Sequence, residues 1–177
     1  MASALRRRFP LSMLVVGLLL AFDAMNVAQA QVVAIGASNT AGSGPSGGGV
    51  MPPEAYPALL EKLLRARGLN VTVKNEGHFG ITAGAMLASL DSVVDTGTKV
   101  AIIDPAWNEM RLGGSRLEMQ RNIAEMSRRL KARGIKVITF QRWPPFYDGG
   151  GGGHPSAKAH VILAAQLLPQ VMAALRH

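Results

Sequence analysis

The chain has 177 residues, 48% of them hydrophobic, and no cysteine. That length supports one sizeable core, and the missing thiol excludes disulfides, a thiolate metal site, a cysteine nucleophile and a lipoprotein anchor. The formal charge is +8, yet no aromatic-interleaved basic stripe or zinc-finger spacing goes with it, so nucleic acid is not an expected partner.

Residues 1–30 read as a secretory signal peptide. Arg6-Arg7-Arg8 form a basic start, Leu11 to Phe22 an apolar stretch, and Ala28-Gln29-Ala30 a small-x-small cleavage site. An apolar run of about twelve residues falls short of the roughly twenty that span a bilayer. The sequence therefore predicts cleavage near Ala30, export to the periplasm or the extracellular space, no stable membrane anchor, and a single domain over 31–177. Removing the leader takes away three arginines and Asp23 and lowers the formal charge from +8 to +6. A basic exported protein can favour cell-wall polymers or lipid headgroups. Arg128, Arg129, Lys131 and Arg133 have a plainer reading, as cations suited to a helix C-terminus.

Along the mature chain, short β-rich runs alternate with amphipathic ones. Strands are predicted over 31–36, 70–75, 99–104 and 135–140. The first, Val32-Val33-Ala34-Ile35-Gly36, ends at a small-residue turn that displays Ser38. A helix over 53–67 places Tyr56, Leu59, Leu60, Leu63 and Leu64 on one face and stops at Gly68. A second, over 82–94, starts at Thr82 and carries Met86, Leu87, Leu90 and Val94. A third opens on the capping box Ser115-Arg116-Leu117-Glu118 and bears a core stripe of Met119, Ile123, Met126 and Leu130. A last helix, over 155–175, contains Pro169, which should kink or end it. Alternation with short connections predicts an α/β fold: a three-layer, doubly wound parallel sheet with helices on both faces. The glycine runs Gly42 to Gly49 and Gly149 to Gly153 are expected surface loops, one after Ser38 and one before His154.

Polar residues fall at the strand ends: Ser38, the stretch from Asn75 to Thr82, Asn108, and the stretch from Asp148 to His154. In a doubly wound sheet these loops share one edge, so a serine and a histidine could meet there as nucleophile and base. In order, Gly36-Ala37-Ser38-Asn39, Asn75-Glu76-Gly77-His78-Phe79-Gly80-Ile81-Thr82, Ala106-Trp107-Asn108-Glu109 and Gly151-Gly152-Gly153-His154-Pro155 resemble the blocks of the SGNH hydrolases, the GDSL-like lipases and esterases. The resemblance runs from about residue 32 to the C-terminus. It implies a flavodoxin-like fold, here shortened between Phe140 and His154, and an esterase that needs no cofactor or metal.

Carried over by the resemblance, Ser38 is the nucleophile and His154 the general base. The Ser38 N–H, the Gly80 N–H and the Asn108 side chain form the oxyanion hole. Ala37, Ala106 and Glu109 depart from the family pattern, and Gly151 stands where the family has the aspartate that orients the histidine. Asp148 is the nearest carboxylate to His154 in sequence.

Plainer readings remain for each residue. Asn108 could cap a turn, and His154-Pro155-Ser156 could be a loop-to-helix junction. His78 and His160 are expected to be incidental. Asp104 and Glu109 could pair as acid and base of a glycosidase, and Trp107 and Trp143 could line a cleft or simply pack. The leading expectation is an exported serine esterase acting on short acyl or O-acetyl esters of small molecules or polysaccharide, or on lysolipids. The alternative is a non-catalytic relative that binds glycan or cell-envelope components. Sequence does not fix the oligomeric state.

Overall fold

The structure, a computed structural model, describes residues 31–42, 48–140, 142–145 and 153–176. The leader over 1–30, most of both glycine runs and Asp148 lie outside these residues. Strands β1 (Val32–Gly36), β2 (Val73–Gly77), β3 (Val100–Ile103) and β4 (Lys136–Thr139) form a parallel sheet in the order β2-β1-β3-β4. The winding reverses between β1 and β3, which makes the crevice above their carboxyl ends the expected ligand site.

Helices cover both faces, as the alternation predicts. They are α1 (Ser38–Ala41), α2 (Tyr56–Arg65), α3 (Ala83–Ala88), α4 (Leu90–Val93), α5 (Asn108–Arg111), α6 (Arg116–Ala132) and α7 (Ala157–Leu175). Side chains alternate across a strand, so each central strand feeds two cores. Val32, Ala34, Val100 and Ile102 pack with Tyr56, Leu60 and Leu64 of α2 and with Leu163, Leu167 and Val171 of α7. Val33, Ile35, Ala101 and Ile103 face the other layer and meet Met86, Leu90, Met126 and Leu130. By length and composition α7 could cross a bilayer, but here its Leu163, Ala164, Leu167 and Val171 are the buried inner face of a layer.

Four boundaries differ from the sequence expectation. A 3₁₀ turn over Pro52–Glu54 precedes α2, which therefore starts at Tyr56. β2 begins at Val73, later than the predicted 70, because its register is set by pairing with buried β1, Val32 opposite Val73. The single helix expected over 82–94 breaks at Ser89, whose hydroxyl donates back to the Ala85 and Met86 carbonyls, both at 3.2 Å. Conversely, α7 runs through Pro169 without ending. Pro169 and Ala165 both lie on the exposed side of α7.

Candidate active site

The site begins at the end of β1. Gly36 and Gly77 are register partners, and α1 lies directly against both. A Cβ at Gly36 would stand 2.1 Å from Thr40 Oγ1, and one at Gly77 would stand 2.2 Å from the Ala41 nitrogen. Close approach of α1, not an unusual φ, is what requires glycine at these two positions. Gly36→Ala is accordingly expected to cost about 1–3 kcal/mol or more of stability, read by denaturant unfolding, and to lower activity by displacing α1.

Ser38 is the first residue of α1, and its Oγ lies 3.1 Å from His154 Nε2. The two residues are 116 positions apart, and the fold brings them within hydrogen-bond distance. His154 is buried, and among the described residues its Nδ1 has no hydrogen-bond partner. An Nε2 that accepts the serine proton requires the other ring nitrogen to carry hydrogen. The arrangement therefore calls for an acceptor at Nδ1.

Directly after β3 comes Asp104, a carboxylate closing an apolar run. Asp104 is 1% exposed and accepts hydrogen bonds from Thr40 Oγ1 at 2.9 Å and from the Trp143 indole N–H at 3.3 Å. It thus joins α1 to the segment between β4 and α7. Asp104 and Glu109, the two carboxylates that the sequence offered as an alternative glycosidase pair, are both buried and accept hydrogen bonds from other groups. Burial raises the Asp104 carboxyl from its ordinary 3.8 to about 6, against the opposing hydrogen bonds from Thr40, Trp143 and Ala106.

A carboxyl whose folded pKa is raised holds its proton more tightly when folded. Its contribution is present below pH 4 and is lost as pH climbs to about 6. The stability difference between the wild type and Asp104→Asn should therefore change across pH 4–6 against the wild type, on the order of 2–3 kcal/mol, measured by urea unfolding at several pH values. A flat difference would show that Asp104 does not titrate there.

Asn108 opens α5 just beyond β3. Its Nδ2 donates to the Ile81 carbonyl at 2.8 Å, which uses one of two amide hydrogens and ties α5 to the loop containing Gly80. Gly80 takes a φ of +70°, the left-handed conformation that favours glycine. Glu109 strengthens the same junction: its Oε1 accepts from the Ala83 and Gly84 N–H groups at the N-terminus of α3. A carboxylate suits that position because unpaired N–H groups and the positive end of the helix dipole meet there.

A cavity of about 910 Å³ opens over these strand ends, lined by Ser38, Asn108 and His154 together with Asp104, Trp107 and Trp143. Gly80 is not part of its wall and is linked to it through Ile81 and Asn108. Trp143 both lines the cavity and packs edge-on against Tyr56, Phe140 and His160, so the two expectations for it hold together. The stripe on α6 divides: Met126 and Leu130 enter the core, whereas Met119 and Ile123 also face the cavity. His78 pairs with Glu76 at 3.4 Å, and His160 Nδ1 accepts from the Tyr56 N–H at 3.0 Å. Among the described residues, no group of three or more His, Asp or Glu side chains could hold a metal.

Sequence reasoning missed the Thr40–Asp104–Trp143 network and the helix-capping part of Glu109. The available signals were an acid closing an otherwise apolar strand and a threonine two residues after Ser38.

A doubly wound sheet with a serine and a histidine in contact at its switch point defines an α/β hydrolytic site. The profile of the GDSL-like Lipase/Acylhydrolase family matches residues 34–176, and the chain belongs to that family. It is a carboxylic ester hydrolase of the SGNH type. No curated protein matches the sequence. Among solved structures, TesA is similar with a TM-score of 0.68 at 20% identity, over 81% of this chain and 98% of that one. A carbohydrate acetylesterase family member from Sinorhizobium meliloti gives 0.65 at 15% identity, over 84% and 100%. AlinE4, an SGNH-hydrolase family esterase, gives 0.54 at 28% identity, over 68% of this chain and 63% of that chain.

Proposed function

We propose that the protein is an exported serine esterase that cleaves short acyl or O-acetyl esters of small molecules or polysaccharides, and lysolipids, through an acyl-enzyme. The 3.1 Å contact between Ser38 Oγ and His154 Nε2 carries this reading. Ser38 Oγ attacks the ester carbonyl carbon as its proton passes to His154 Nε2. The Ser38 N–H, the Gly80 N–H and the free hydrogen of Asn108 Nδ2 stabilise the tetrahedral oxyanion. Collapse breaks the bond to the alcohol, which leaves with the proton from His154. Water then attacks the acyl-serine, His154 accepts its proton, and the acid is released as Ser38 is reprotonated.

Asp148, the carboxylate nearest to His154 in sequence, is the proposed acceptor for Nδ1–H. The apolar wall of Met119, Ile123 and Phe140 suits the acyl group. Export rests on the Arg6-Arg7-Arg8 start, the apolar stretch and the Ala28-Gln29-Ala30 site. The test is hydrolysis of p-nitrophenyl acetate by the protein lacking residues 1–30, with mass spectrometry of the Ser38 peptide. Release of nitrophenol with a transient acetyl adduct on Ser38 is expected. Equal rates for wild type and Ser38→Ala would overturn the esterase mechanism in favour of a ligand-binding module.

A further inference from the structure

Three arginines share the cavity wall with Ser38 and His154: Arg111 at the end of α5, Arg116 at the start of α6, and Arg142 beyond β4. All three are exposed to solvent. The Arg116 guanidinium carbon sits 5.2 Å from the centre of the Trp107 ring, a cation–π contact that restrains it beside the cavity.

Several cations elsewhere are neutralised by ion pairs. Arg65 pairs with Glu61, Lys74 with Glu76 and Asp95, Arg128 and Arg129 with Glu125, and Arg133 with Asp91. Among the described residues, none of the three cavity arginines has a carboxylate within ion-pair distance. Among the described lining residues Asp104 is the single carboxylate, and its oxygens are already committed to Thr40 and Trp143. Among the described residues, the wall facing the nucleophile therefore carries more positive than negative charge. A concave surface of one sign concentrates ligands of the opposite sign, and a guanidinium fork fits the planar or tetrahedral oxygens of carboxylates and phosphates.

We propose that the cavity selects esters that carry an anionic group, a carboxylate or a phosphate, a few atoms from the scissile carbonyl. The inference rests on the esterase reading above and specifies its substrate class. Arg111, Arg116 and Arg142 hold the anion while Ser38 attacks the ester carbonyl.

Two matched pairs of esters test it. Monoethyl succinate and diethyl succinate share the ethyl leaving group and differ by one negative charge; 1-acetylglycerol 3-phosphate and glycerol monoacetate make the phosphate comparison. For at least one pair, kcat/KM for the anionic ester should exceed that for the neutral one by about tenfold or more. The ratio should fall toward one in 0.5 M salt (roughly a 4–5 Å screening length) and in Arg111→Gln/Arg116→Gln/Arg142→Gln. The pair that shows the preference identifies whether carboxylate or phosphate is read.

A ratio near one for both pairs, with hydrolysis that depends on Ser38, would overturn the proposal and leave the esterase reading standing. An anionic preference that survives in the triple variant would overturn it too. Calorimetric binding to Ser38→Ala gives a readout without turnover. Monoethyl succinate or the acetylglycerol phosphate should bind about tenfold more tightly than its neutral partner, and equal binding in both pairs would overturn the proposal. Absence of Ser38-dependent hydrolysis of all four esters would overturn the esterase reading instead.

Discussion

Ser38→Ala and His154→Ala are each expected to lower kcat for p-nitrophenyl acetate by about 10⁴-fold or more, and the double variant should be scarcely worse than either single one. The non-additivity follows from the chemistry. A serine hydroxyl without a base is a poor nucleophile, and a base without the hydroxyl has nothing to activate, so either deletion removes the same step. The 3.1 Å contact makes the two side chains one functional unit. Residual rate over buffer should come from the oxyanion donors and from substrate binding. Steady-state kinetics of the three variants beside the wild type, with thermal unfolding to confirm that each is folded, decides the matter. Multiplicative losses would mean that Ser38 and His154 act independently, contrary to the proposed mechanism.

Asn108→Ala should lower kcat by about 10²–10³-fold with little change in KM. The missing donor serves the tetrahedral oxyanion more than the ground-state carbonyl, so the loss belongs in the transition state. The side chain has a second task, since Nδ2 also holds the Ile81 carbonyl and, through it, the loop bearing Gly80. One substitution therefore weakens two of the three proposed donors. Asn108→Asp keeps the shape and faces both the Ile81 carbonyl and the developing oxyanion with an acceptor, so it should be no better than alanine. A rise in KM at constant kcat would instead assign Asn108 to substrate binding.

Much of the fold was legible because its determinants are local. Apolar β-branched runs mark the central strands. Thr82 and Ser115 accept the Ala85 and Glu118 N–H groups at 3.1 Å, as their positions before apolar stretches predict. Gly68 and Gly134, at φ +79° and +76°, close helices where the pattern places them. Less legible were a strand boundary set by a distant partner and a helix break set by a single hydroxyl. The onset of β2 follows its pairing with β1, and the break at Ser89 depends on a hydroxyl turning back onto its own helix.

The sequence by itself determined the alternating architecture, the family blocks and the candidacy of Ser38, Gly80, Asn108 and His154, because short-range spacing encodes all of these. Tertiary structure alone decided which of them meet. It set His154 against Ser38 and tied Asn108 to the loop of Gly80. It also made Asp104, 64 residues from Thr40, a buried anchor. The physical reason is the parallel crossover: it carries residues far apart in the chain to the same end of adjacent strands, where hydrogen-bond geometry rather than sequence spacing assigns each group its partner.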